Sequence, residues 1–287
     1  MLVIYKKELN SYFNGMMGYV FIAFALAVIG VYMTAVNFTK AYPNFEYVLD
    51  SVRFLFILIM PILTMRSLSE ERRQRTDQLL YSSPISTWSV VLGKFFASLT
   101  VFAIPLMISC FYPILLRQFG MVNLKTAYAG ILGFLLMGGA AIAMGVFLSA
   151  LSESQMVAAV ASYAVLLLCY LMPSLSSMVS ASALTSCIGF SILLLIAAWM
   201  LYSTTKNKVL AAAFPVCGIA GLAAVYFLKP ALLEGTFITA MNALSVFQRY
   251  DTFIFGMLDL RSIVYFITII ALFNFFTVQV IEKRRWA

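Results

Sequence analysis

From Ser154 to Thr205 the chain carries no charged side chain. A helix crosses ~30 Å of hydrocarbon in about 20 apolar residues at ~1.5 Å each. The run is therefore too long for one crossing, and the best place to divide it is Pro173 to Ser177, the string PSLSS. A soluble fold could not bury such a stretch without leaving large apolar patches. Composition agrees, because 63% of the 287 residues are hydrophobic and only 10% are charged. The bilayer is the solvent that such a chain requires.

Eight spans are expected on this basis. The first is Gly18 to Phe38, and the second lies near Ser51 to Leu68. In the second only Phe54 to Met65 is free of charge, so Arg53 and Arg66 must snorkel to opposite interfaces. The third is Phe95 to Leu116 with Lys94 at its mouth, and the fourth falls within Thr126 to Ser152. Two more share Ser154 to Thr205, and Val209 to Leu228 and Ser262 to Ile281 complete the set. A six-span alternative, with part of the Ser154 to Leu228 region re-entrant, keeps the termini on the same side.

Positive charge sets the orientation, since short basic loops stay cytoplasmic. With both termini inside, the inner segments hold Lys6, Lys7, Arg66, Arg72, Arg73, Arg75, Lys94, Lys206, Lys208, Lys283, Arg284 and Arg285. These are twelve of the 19 lysines and arginines. The net charge of +8 reflects this loop bias rather than nucleic-acid binding. The N-terminal stretch does not read as a cleavable signal, because its apolar run is too long and leads to no small-residue cleavage site.

Much chemistry is made improbable by what the spans lack. Histidine is absent, which removes the commonest metal ligand and proton shuttle. Cys110, Cys169, Cys187 and Cys217 sit in apolar runs without C-x-x-C spacing and read as buried free thiols. There is no G-x-x-x-x-G-K-[ST] phosphate loop. No carboxylate or histidine stands inside an expected span, which argues against a proton-driven carrier, and Glu153 reads as a solvated loop residue. Broken helices near Pro105, Pro113 or Pro173 could coordinate sodium through carbonyls, although nothing demands it.

The block from Leu63 to Ser86 is different. The second helix is expected to continue past the membrane through Glu70 and Glu71, followed by a basic cluster at Arg72, Arg73 and Arg75. Thr76 can cap a short new helix with Asp77 in its first turn. Leu79, Leu80 and Tyr81 then form an apolar knob, and Ser83 and Pro84 end it. Positive-inside bias explains the arginines but not an exposed Leu79, Leu80 and Tyr81, so the loop reads as a docking element for a partner's groove. Glu70 and Glu71 make only a weak paired-carboxylate candidate, with no histidine or metal ligand beside them.

Three further segments have patterns of their own. Residues 1–16 form an amphipathic interfacial helix, with Leu2, Tyr5, Leu9, Tyr12, Phe13 and Met16 on one face and Lys7, Asn10, Ser11 and Asn14 on the other. Gly15 and Gly18 are expected to supply the turn into the first span. Gly138, Gly139, Ala140, Ala141, Ala143 and Gly145 make a small-residue face, read as packing within the chain in preference to a dimer seam. In the outer segment 230–260, Phe237, Met241, Leu244 and Phe247 oppose Thr239, Asn242 and Ser245. There Tyr250, Phe253 and Phe255 read as an aromatic interface belt beside Asp251 and Asp259.

The string EERRQRTDQLLYSSPIS, followed by VVLGKF, resembles the first intracellular loop of ABC-2 type permeases, whose usual form is E-E-[RK]-x-x-G-T-x-x-x-L-L-x-[ST]-P-[IV]. The tail YDTFIFGMLDLRSIVYFITIIALFNFFTVQVIEKRRW and the opening KKELNSYFNGMMGYV are similar to the gliding-motility-associated and related bacterial members of that group. The likeness touches both ends and the first loop, whereas 172–229 looks like an extra span pair. Arg75 stands where the family commonly has glycine, so a different turn into the docking helix is expected there.

The resemblance implies an all-α polytopic permease with a cytosolic coupling loop at 69–86. Glu70, Glu71, Thr76, Asp77, Leu79, Leu80, Tyr81, Ser83 and Pro84 would form the coupling helix and its supports, beside Arg72 and Arg73. It also implies a separate ABC ATP-binding subunit in two copies, which holds ATP and Mg while this chain holds no cofactor. Further implied partners are a second permease, identical or related, membrane lipid, and an accessory extracytoplasmic subunit. The location implied is the bacterial cytoplasmic membrane with both termini cytoplasmic, and the cargo an exported amphiphile. The competing class is a non-transporting scaffold or signalling subunit that uses the same loop to hold a cytosolic partner.

Overall fold

The computed structural model describes residues 1–40, 42–76, 85–205, 215–223, 226 and 232–285. Its elements are α1 (Leu2–Asn14), α2 (Met17–Met33, continued by a π-helical turn Thr34–Thr39), α3 (Glu46–Thr64), α4 (Ser69–Arg73) and α5 (Thr87–Ser109). There follow α6 (Tyr112–Leu116), α7 (Leu124–Leu151), α8 (Gln155–Met178), α9 (Ala183–Thr205), α10 (Thr236–Leu244), α11 (Asp251–Ile254) and α12 (Leu260–Arg285). No strand occurs among the described residues. Among the described residues six stretches are long and apolar enough to cross a bilayer: Met17–Thr39, Glu46–Arg73, Thr87–Leu116, Leu124–Leu151, Gln155–Met178 and Leu260–Arg285. A shorter apolar helix, Ala183–Leu195, lies between the last two. Most of the expected seventh span, Val209 to Leu228, falls outside the described residues, although 215–223 is helical.

The chain divides into two compact units, Met1–Leu168 with Arg249–Ala287, and Cys169–Gln248. In the first unit α7 is central. Asn123 starts it by accepting the Lys125 amide at 3.1 Å, and α3, α5 and α12 pack around it. Lipid tails are as apolar as leucine, so close packing rather than hydrophobic transfer must hold such helices together. The glycines of α7 provide it. Added β-carbons would strike Phe102 at Gly138, Phe253 at Gly133 and Thr64 at Gly145. The small-residue face therefore packs within the chain. Phe56, Phe102 and Phe134 fill the space between the helices, with centroids 5.0–6.1 Å apart.

In the second unit Phe237 seats on Gly189 and Phe190, and Ser176 Oγ donates to Asn242 Oδ1 at 2.8 Å. Here α8 runs through Pro173 to Met178 and breaks only at 179–182, which corrects the expected division at PSLSS. Pro173 removes a single ladder donor. The stronger stop signal is Ser182, whose Oγ accepts the Thr185 amide at 3.3 Å and so caps α9.

Other expectations need correcting. The left-handed residue between α1 and α2 is Met16 (φ 59°), not Gly15 or Gly18. Those glycines serve close approach instead, since β-carbons there would press on Ser11 O and Tyr12 O. The face of α1 turned to the protein is Ile4, Glu8 and Tyr12, while Leu2 and Met16 point away. The second span begins at Glu46, so it carries Glu46 and Asp50 inside its first turns. Tyr250 and Phe253 are fully buried rather than forming an interface belt: Gly133 leaves the space that Phe253 fills, and Tyr250 packs edge-on against Phe134 with ring centroids 5.7 Å apart. Only Phe255 remains exposed.

Candidate functional site

At one end of the first unit the chain builds a mount for the loop that opens at α4. The expected continuous helix from α3 into Glu70 and Glu71 is interrupted at 65–68. The cause is a side chain inserted into the ladder. Ser149 Oγ of α7 accepts the amides of Leu68 and Ser69 at 3.1 Å each and donates to Met65 O at 3.1 Å. Gly145 lets Thr64 come close enough for this. The amides that a helix start leaves without partners are thus satisfied from a neighbouring span.

Helix α4 ends in a Schellman motif. The amide of Thr76 donates to Glu71 O at 3.0 Å and that of Arg75 to Arg72 O at 3.1 Å. Such a motif needs a left-handed residue, and Arg75 supplies it at φ 56°. Arg75 thus holds, at the cost of backbone strain, a conformation that glycine takes freely. The Thr76 hydroxyl adds a bond to Glu71 O at 3.3 Å.

Beneath α4 lies a buried ion cluster. Lys94, expected at the mouth of a span, instead sits two turns inside α5 and is only 1% exposed. Its Nζ donates to Glu8 Oε1 at 2.8 Å and to Ser67 O at 2.7 Å, and lies 3.0 Å from Glu71 Oε1. One ammonium thus joins α1, the 65–68 turn, α4 and α5. Four residues beyond Glu8, the Tyr12 hydroxyl donates to Leu63 O at 3.0 Å and meets Ser98 Oγ at 2.9 Å. Burial pushes the Tyr12 phenol up to about 12, against a smaller lowering by the Ser98 hydrogen bond. On the other side, Arg72 pairs with Glu153 at 2.6 Å and reaches Leu151 O at 3.3 Å. Arg284 from the end of α12 donates to the same carbonyl at 3.4 Å. Glu153 is therefore an anchor for the loop rather than a residue held by water alone.

Of the residues the sequence singles out, Glu70 pairs with Arg66 at 3.3 Å, and Glu71 and Arg72 are tied down as described. Arg73 and Arg75 point outward, and Thr76 closes the turn. Asp77, Leu79, Leu80, Tyr81, Ser83 and Pro84 lie outside the described residues. Sequence reasoning gives no role to Glu8 or Ser149 and places Tyr12 only on the apolar face of the N-terminal helix. The one available signal is an acid at the centre of the Ile4, Glu8, Tyr12 stripe, at i, i+4 spacing.

A second polar cluster occupies the opposite end of α3. Arg53 pairs with Asp50 at 3.2 Å and with Asp251, and its guanidinium lies 6.0 Å from the Tyr250 ring centroid. Arg53 and Arg66 thus serve opposite ends of one span, each paired with carboxylates. Burial drives the Tyr250 phenol well above its ordinary range.

No curated protein and no solved structure matches the chain. A family model, described as ABC-2 family transporter protein, matches residues 35–189. That stretch is more than half of the chain and holds the 65–68 turn, α4, Lys94 and Ser149. The chain belongs to the ABC-2 transporter family.

Proposed function

We propose that this ABC-2 permease is worked by a separate ATP-binding subunit pressing on the loop 69–86, and that it exports an amphiphilic or lipid-like cargo. The ATP-binding subunit acts in two copies and supplies ATP and Mg. A second permease, identical or related, completes the path, with membrane lipid around it and an accessory extracytoplasmic subunit as a further partner. The loop end, with both termini, faces the cytoplasm of a bacterial cell.

The observation that carries this reading is the Lys94 cluster. A loop that only connects two spans needs no buried cation beneath it, and burying one is costly unless it is fully paired. Here Lys94 fixes α4 to α1 and to α5, Ser149 fixes it to α7, and Arg72 ties it to the turn after α7. Force delivered to the loop therefore reaches four helices through short polar contacts. Asp77, Leu79, Leu80, Tyr81, Ser83 and Pro84 follow the clamped turn directly, where the motif places the element that enters the partner's groove.

The test is Leu80→Asp in the complex purified with its ATP-binding subunit and reconstituted into vesicles. The expected result is a protein that inserts normally, hydrolyses ATP and no longer couples hydrolysis to transport. Transport per ATP equal to that of the unaltered complex would refute the docking role. A complex that contains no ATP-binding subunit would favour the scaffold reading instead.

A further inference from the structure

Two cavities meet at the turn from α1 to α2. The first is an apolar groove of about 330 Å³ between the start of α2 and the end of α3, walled by Met16, Val20, Phe21, Phe24, Ile59 and Ile62. From Met17 to Phe24 it runs about 10 Å along the helix axis. The second is a partly open polar pocket of about 50 Å³ lined by Glu8, Ser11, Arg66, Ser67 and Glu70, with room for a few water-sized groups. Gly15 and Met17 line both, so the two adjoin, an apolar lower part beside a charged upper part.

We propose that this site holds one membrane phospholipid whose headgroup ends in a primary ammonium. One acyl chain lies in the groove, which runs along the first turns of α2 and the last turns of α3 and is open sideways, Val20 being 66% and Ile62 49% exposed. Above it, the charges that face an incoming headgroup are Arg66 and Glu70, since Lys94 already satisfies Glu8. Arg66 and Glu70 sit 3.3 Å apart with side chains 40% and 34% exposed, so the pair is open to ligand. One guanidinium and one carboxylate match a zwitterion. The guanidinium takes the phosphate as a fork, and the carboxylate accepts N–H bonds from the ammonium. A quaternary amine offers no N–H and loses the second contact. The inference rests on membrane placement and not on transport or ATP.

The test uses the full chain with Trp88, Trp199 and Trp286 replaced by phenylalanine and Phe24→Trp as a reporter in the groove. It is reconstituted in phosphatidylcholine vesicles containing rising fractions of brominated-chain phosphatidylethanolamine or brominated phosphatidylcholine. The ethanolamine lipid is expected to quench the reporter's indole fluorescence at about fivefold lower mole fraction than the choline lipid. Glu70→Gln brings that ratio to about one, Glu70→Asp retains it, and Ile62→Phe, which fills the groove, weakens quenching by both. Equal quenching by the two lipids in the chain with Glu70 intact would make the site ordinary annular contact and overturn the proposal. A ratio unchanged in Glu70→Gln also overturns it. Quenching by neither lipid would place a second copy of the chain over the groove and reject it as well. All of these outcomes are read without the ATP-binding subunit, so they stand apart from the fate of the coupling proposal.

Discussion

Lys94→Met removes the ammonium that three oxygens converge on, at 2.7 to 3.0 Å, and keeps the volume of the side chain. It leaves Glu8 and Glu71 facing each other, with side chains only 13% and 14% exposed. Breaking a buried pair from one side costs about 3–5 kcal/mol, because the remaining charge is uncompensated. At about 2–4 °C per kcal/mol for a chain of this size class, the melting temperature should fall by roughly 6–20 °C. The loss should be largely reversed when Glu8→Gln and Glu71→Gln are added, since no charge is then left unpaired. Lys7, 3.6 Å from Glu71 but with its side chain 65% exposed, is not expected to matter. The assay is the thermal loss of the monodisperse peak in detergent for the unaltered chain, the single variant and the triple variant. A single variant within about 1 °C of the parent, or a triple variant no better than the single, would refute the claim that paired burial holds α1, α4 and α5 together.

Arg75→Gly relieves a left-handed conformation worth about 1 kcal/mol, so the Thr76 amide that closes the turn should exchange about fivefold more slowly, whereas Arg75→Val should speed it. Ser149→Ala strips the acceptor from the Leu68 and Ser69 amides and should destabilise the detergent-solubilised chain by about 2–4 kcal/mol, read as a fall in melting temperature. For Tyr12 the raised phenol has its sign fixed: stability from its neutral form is complete below about pH 10 and is lost as pH rises toward about 12. The difference in phenolate absorbance between the parent chain and Tyr12→Phe should therefore develop near pH 12, and development near pH 10 would contradict the burial.

Several spans were legible because they are long runs with few or no charges, and their type depends on length and polarity alone. Thr126 to Ser152 lies almost entirely within α7, and Gly18 to Phe38 sits inside Met17–Thr39. The charged block that opens the loop, Arg66 to Thr76, was legible because its charges interrupt such runs. What holds the loop was not. Lys94 and Glu8 are 86 positions apart, and Ser149 is 81 from Leu68. A serine near the end of a helix carries no sign that its hydroxyl will enter another helix's ladder. Tyr250 and Phe253 were opaque for a related reason. Their neighbours Asp251 and Asp259 suggest an interface, while what they pack against, Gly133 and Phe134, lies more than a hundred residues away. At Arg75 residue identity misled, because arginine is a poor left-handed residue and the two Schellman hydrogen bonds hold it there nonetheless.

The central claim is that the Lys94 and Ser149 mount lies on the cytoplasmic side beneath an ATP-binding subunit. The most direct measurement labels Arg75→Cys, in a chain whose four cysteines are replaced by serine, with a membrane-impermeant maleimide in intact spheroplasts and in inverted vesicles. The account predicts labelling only in inverted vesicles, and protection once the ATP-binding subunit is assembled. Labelling from outside intact spheroplasts, or labelling in inverted vesicles that assembly leaves unchanged, would contradict it.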